Sequence, residues 1–246
     1  IWTPETPARR TWAGEIVQQE ITSKEVNSST TEAQRLDGRP KRVCSVSRPV
    51  TERRPRRVSR GESTVATEKA KIKESKLVDD IKEVTLTSGQ YSVTVVPQLG
   101  AKITSILNRK TKREFLSRTN VDYRPRVYGD AFENYERDGA DECFPTVGGC
   151  PYPNYPWQGT DIPDHGELWC LPWQHEITKD KLRTWVRGIR LPYLFERTIS
   201  FETLARHEKQ YIRLSYSVTN ESPYDMPFLY AFHPLFKAET KSKLML

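Results

Sequence analysis

Two histidines and a group of carboxylates carry the chemistry that this sequence offers. His165 lies in IPDHGELWC (162–170) and His233 in FLYAFHPLF (228–236), each at the end of a strand-like segment. Imidazole titrates near neutrality, so two such rings facing one cleft can supply a proton donor and a polarising partner. The plain alternative is a pair of histidines that only finish their strands. Asp141, Glu142, Asp164 and Glu167 fall in the same stretch of chain, beside Tyr152, Tyr155, Trp157, Trp169 and Trp173. Carboxylates next to aromatic rings suit a sugar, because hydroxyls bond to the acids while the C–H face of the ring lies on an aromatic plane. Asp141, Glu142, Asp164, Glu167 and Trp169 are therefore expected to bind substrate. The competing reading is a surface loop with ordinary solvated charge.

A metal centre is the other chemistry these residues suggest. Asp164, His165, Glu167, Cys170 and His175 lie close together in the chain. Their spacing matches none of the common zinc patterns, and a strand would send His165 and Cys170 to opposite faces. No metal is expected. Cys143 and Cys150 flank Pro and Gly with no histidine nearby in sequence, which argues against a nucleophile. His207, in LARHEKQ, reads as a turn residue.

The elements that must position the histidines are strands. VTLTS and YSVTVVP (within 84–97) are β-branched runs joined through Ser88-Gly89-Gln90, the pattern of a hairpin. Gly100 permits a sharp connection into AKITSILN, and Asn108–Thr111 makes a further turn before Phe115-Leu116. From about 120 to 172 the density of proline excludes a long helix, and the stretch reads as a binding loop or lid. WCLPWQHEIT, KLRTWVRGIR, YLFERTISFE, KQYIRLSYSVTN and MPFLYAFHPLF then follow as strands at the spacing of a β-sandwich or barrel.

Residues 1–80 have a different texture. They are rich in Arg, Ser, Thr, Glu and Pro, with few aromatics, and read as a disordered tail ahead of a β domain over 81–246. The net charge of +7 is concentrated there, most of all in RPKRVCSVSRPVTERRPRRVSR (39–60). An anionic partner is one reading of that run. No aromatic interleaving accompanies it, so nucleic acid is not an expected partner. No apolar stretch approaches the ~20 residues that cross a bilayer, so no membrane partner is expected. Four cysteines without a CxxC pair fit a reducing cytoplasm.

With these pieces in view, residues 85–246 resemble the aldose 1-epimerase, or galactose mutarotase-like, family. The resemblance rests on VTLTSGQYSVTVVPQLGAKITSILN, the His165-Gly166 step before a tryptophan, FERTISFE with YIRLSYSVTN, FLYAFHPLF, and a histidine separation of 68 residues. DECFPTVGGCPYP with PDHGELW marks a divergent branch. The resemblance implies an all-β supersandwich and an isomerase that interconverts sugar anomers by general acid–base catalysis without a cofactor. His233 would be the acid, and His165 would bind and orient the sugar near its ring oxygen. Two departures stand out: Asp141-Glu142 occupies the region where the family carries an arginine, and the family's catalytic glutamate lies well beyond the second histidine. The chain is thus expected to be a fragment without that base. A sugar-binding β-sandwich with no catalysis, or an interaction protein acting through its basic tail, are the alternatives.

Overall fold

The structure, a computed structural model, describes residues 11–14, 65–118, 123–204, 209–239 and 242. In chain order the first strands are β1 (Thr11–Gly14), β2 (Val65–Thr67), β3 (Lys71–Val78), β4 (Ile81–Ser88), β5 (Tyr91–Val96), β6 (Lys102–Asn108) and β7 (Arg113–Glu114). A two-residue hairpin, β9 (Cys150–Pro151) with β10 (Asp161–Ile162), follows β8 (Ala140–Cys143). The last are β11 (Gln174–Thr178), β12 (Lys181–Arg187), β13 (Tyr193–Leu204), β14 (Lys209–Asn220) and β15 (Ala231–Pro234).

The long strands form two antiparallel sheets. One has the order β15-β8-β6-β5-β4-β3, with β7 on β6; the other has the order β1-β14-β13-β12-β11, with β2 on β13. Their facing side chains merge into one core, in which Val84, Leu86, Val93, Val95 and Ile103 meet Leu182, Tyr193, Phe195, Ile199 and Phe201. The alternation along β4 and β12 sends every second residue into that core, as a two-layer sandwich requires. β8 and most of β6 are buried on both faces. One of those faces meets the second sheet, and the other is covered by the segment between β7 and β8.

The fold is all-β, as expected, with short 3-10 turns at Phe132–Asn134 and Leu168–Cys170 the only helical segments among the described residues. Gly89-Gln90 turns β4 into β5 as the hairpin pattern predicts. Three expectations need correction. The boundary at residue 80 falls between paired strands, since β3 pairs with β4 and β1 and β2 lie on the second sheet; the remainder of the tail, with its basic run, lies outside the described residues. The strand expected from Trp169 starts at Gln174, because Leu168–Cys170 coils into a turn that buries all three side chains. The irregular middle contains β8, which pairs with both β6 and β15. Its residues ADEC lack the β-branched pattern that makes a strand visible in a sequence.

Candidate functional site

The pairing of β8 with β15 creates the site. His233 lies opposite Asp141 and Phe232 opposite Glu142. Opposed residues share a face, so His233 and Asp141 point one way and Phe232 and Glu142 the other. Beyond β8 the chain continues to Phe144, which forms a parallel bridge with Gly166 and accepts a hydrogen bond from Glu167 N at 2.8 Å. His165 N donates to Val147 O at 3.1 Å. The His-Gly step is thus fastened to the end of the strand that carries Asp141.

Both residues of the step have left-handed backbones, with φ of 62° at His165 and 73° at Gly166. A non-glycine residue in that region is uncommon and signals a conformation imposed by its surroundings. It brings the His165 ring onto Phe132, with centroids 4.2 Å apart and planes within 10°. The His233 ring stands 5.3 Å from His165 at 74°, and meets Phe132 edge-on at 6.1 Å. Residues 68 apart in sequence therefore place their imidazoles side by side. Asp164 Oδ2 lies 2.7 Å from His165 Nδ1. A carboxylate oxygen accepts from an Nδ1–H, which turns Nε2 to the side of the ring away from Asp164. The His165 side chain keeps 21% of its surface exposed.

The other expected substrate ligands are placed differently. Asp141 is buried and paired with Lys102 and, at 3.4 Å, with Arg126, whose side chains are fully enclosed. Arg126 also binds Glu136, donates to Trp169 O at 2.9 Å and lies over the Trp169 ring. Asp141 and Trp169 are thus both buried, and Trp169, with no exposed surface, ties its Nε1–H to Asp164 O. Glu142 sits between the sheets and accepts from Arg197 at 2.7 Å, Tyr230 at 2.8 Å and Tyr216 at 3.0 Å. Burial pushes its carboxyl up in pKa against the pull of Arg197. Glu167 is enclosed too, accepting from Tyr128, Tyr193 and the backbone N–H groups of Ile189 and Arg190. Of the expected ligands only His165, His233 and Asp164 lie together with access to solvent.

Sequence reading missed Phe132, Arg126 and Lys102. Phe132 is the one apolar side chain between Ala131 and Glu133, and its spacing carries no signal that it will meet two distant histidines. The residues weighed as metal ligands are not gathered: Cys170 Sγ donates to Glu167 O, and His175 lies 3.9 Å from Glu74 on β3. His207 lies outside the described residues. Burial raises the Cys143 thiol to about 12 and the Cys170 thiol to about 11. An open groove of about 520 Å³ between Ser105, Glu114, Arg118 and Lys237 is lined by none of the residues around the histidines.

No family model matches the chain, and no curated protein sequence matches it. Among solved structures the chain is similar to a galactose mutarotase-like protein from Clostridium acetobutylicum, with a TM-score of 0.49 and 16% identity over 68% of this chain and 54% of that one. It is also similar to a 4-alpha-glucanotransferase from Thermococcus litoralis, with a TM-score of 0.40 and 15% identity over 63% of this chain and 25% of that one. The chain spans about half the length of the first and a quarter of the second.

Proposed function

We propose that the His165–His233 pair binds a sugar at its anomeric centre and belongs to an aldose 1-epimerase-like isomerase. The observation that carries this is the meeting of the two imidazoles 5.3 Å apart, one of them oriented by Asp164. Protonated His233 donates to the ring oxygen while a carboxylate takes the proton from the anomeric hydroxyl. The C1–O bond of the ring breaks to give the open aldehyde, rotation about C1–C2 follows, and the reverse transfers close the other anomer. His165 holds the sugar beside the ring oxygen, and no cofactor takes part. Asp141, Glu142 and Glu167 are buried and bonded elsewhere, so none of the three supplies the base. Among the described residues no helix is long and apolar enough to cross a membrane, and the free thiols of Cys143, Cys150 and Cys170 favour a cytoplasmic protein.

Polarimetry tests this. A single anomer of glucose or galactose is added and its optical rotation followed. His233→Ala should lower kcat by about 10²–10⁴-fold, whereas His165→Ala should mainly raise KM. A rate unchanged by His233→Ala sinks the acid assignment. The second reading, a sugar-binding module without catalysis, is favoured by the burial of those carboxylates. It predicts that sugar shifts the ring-proton resonances of both histidines while the rotation relaxes at the uncatalysed rate.

A further inference from the structure

We infer that Tyr155, Trp157 and Tyr224 form a platform for a second sugar residue, so that the ligand of the histidine pair is a neutral oligosaccharide. This rests on the proposed sugar site. Of the aromatics that the sequence sets beside the carboxylates, Tyr152, Trp169 and Trp173 are buried. Tyr155 is 71% exposed, Tyr224 from the β14–β15 connection is 43% exposed, and Trp157 is half-buried. Tyr224 meets Tyr155 at 5.4 Å and 90° and Trp157 at 6.2 Å and 86°. In both pairs an edge meets a face, so the rings are not consumed by stacking on one another, and planar apolar surface is left to solvent.

The platform is built, not loose. The tip of the β9–β10 hairpin is closed by Tyr152 N to Thr160 O at 2.7 Å, Gly159 N to Tyr152 O at 2.9 Å and Thr160 N to Trp157 O at 2.9 Å. The buried Tyr152 donates its hydroxyl to Pro227 O at 2.9 Å and so clamps the tip to the segment that carries Tyr224. Tyr224 is set in turn by Asn220, whose Nδ2 donates to its carbonyl at 2.6 Å.

Composition identifies the occupant. Residues 150–160, CPYPNYPWQGT, contain no charged side chain in a protein that is 29% charged, and no Leu, Ile, Val or Met. A phosphate would need cations, and a protein hot spot built on Tyr and Trp commonly adds Arg, which this stretch lacks. Aromatic faces among amide and hydroxyl groups match the two surfaces of a neutral sugar ring. The nearest charges along the chain, Asp161 and Asp225, are acidic and oppose an anionic ligand. The platform is also joined to the histidines, because β10 (Asp161–Ile162) leads from the tip through Pro163 to the turn that carries Asp164-His165. Only Pro163 separates the end of β10 from Asp164, so the tip and the histidine step belong to one short run of chain.

The test is calorimetric titration of the whole chain with glucose, maltotriose and cellotriose. A trisaccharide should bind at least tenfold more tightly than glucose. Tyr155→Ala and Trp157→Ala should each remove about three- to tenfold of that advantage and leave glucose unchanged, as expected for the loss of one ring contact. Tyr155 is exposed, so its variant removes little buried surface, and circular dichroism checks that it folds. If glucose binds in a His165-dependent manner and neither trisaccharide binds more tightly, the platform is refuted and the histidine site stands. If trisaccharide binding falls with Tyr155→Ala but ignores His165→Ala, the platform stands and the histidine site fails. If no sugar binds, both fall. A chain that is dimeric until Tyr155→Ala makes it monomeric assigns the patch to self-association and also overturns the proposal.

Discussion

Replacing Gly166 by alanine measures how firmly the His-Gly step is held. At φ of 73° any side chain pays the left-handed strain, about 1–2 kcal/mol. A Cβ there would also lie 2.1 Å from Phe144 O and 2.4 Å from Phe144 C, so one backbone must move away from the other. Phe144 has little room to yield, since its ring packs on Tyr193 at 4.7 Å, Phe228 at 4.8 Å and Phe195 at 5.2 Å. Separation breaks the bond from Glu167 N to Phe144 O, which costs about 1 kcal/mol, and the forced repacking adds about 1–3 kcal/mol. The total is about 3–6 kcal/mol. Gly129 is the internal control: its φ is 87°, and an added Cβ meets nothing within 4 Å. Gly129→Ala should cost only the strain of about 1–2 kcal/mol. Urea unfolding followed by tryptophan fluorescence separates the two, provided the slope with denaturant is the same. Costs that agree within about 1 kcal/mol would show that the Phe144 rail does not hold the step, and the account of His165's placement would fail with it.

Removing Glu142 should damage folding, not binding: Glu142→Ala leaves Arg197 charged and buried, at a cost of about 3–5 kcal/mol. A variant with unchanged melting temperature and weakened sugar binding would return Glu142 to the site. Cys143 and Cys170 should resist a thiol reagent at pH 8 while the half-buried Cys150 reacts, as read by peptide mass mapping. Rapid native labelling of Cys143 would contradict its burial. The same two thiols set an alkaline limit. Their folded pKa values of about 12 and about 11 lie above the ordinary 9.0, so their contribution to stability is complete below pH 9 and is lost as pH rises through 11 and 12. Stability that stays flat from pH 9 to 12 would refute it.

How much of this was legible in the sequence depended on whether a feature was local. The β4–β5 hairpin, β12, β13 and β14 announce themselves through alternation and turn residues, because those signals lie within a few positions of one another. β14 occupies all of KQYIRLSYSVTN. β8 does not, since ADEC carries two acids whose burial is possible only once Lys102, Arg126 and Arg197 arrive from elsewhere in the chain. The histidine pair was legible as two candidates, but the ring that joins them was not. Phe132 meets both through a 3-10 turn that no periodicity foretells.

Asp141-Glu142 shows why chemical suggestiveness in a sequence misleads. Two adjacent acids beside candidate histidines look like a ligand pair, yet the pleat of a strand sends neighbours to opposite faces. Each then enters a buried layer and must be neutralised there, Asp141 by Lys102 and Arg126 on the histidine side, and Glu142 by Arg197 between the sheets. A buried carboxylate without such partners is too costly to keep ionised. The cations that make burial possible also remove these acids from any role that needs a free oxygen. Asp164, on a loop and half-exposed, has no such constraint, and of these acids it alone still reaches a histidine. In this fold the acids that look most catalytic in the sequence hold the strand, and the one on the loop keeps its carboxylate against His165.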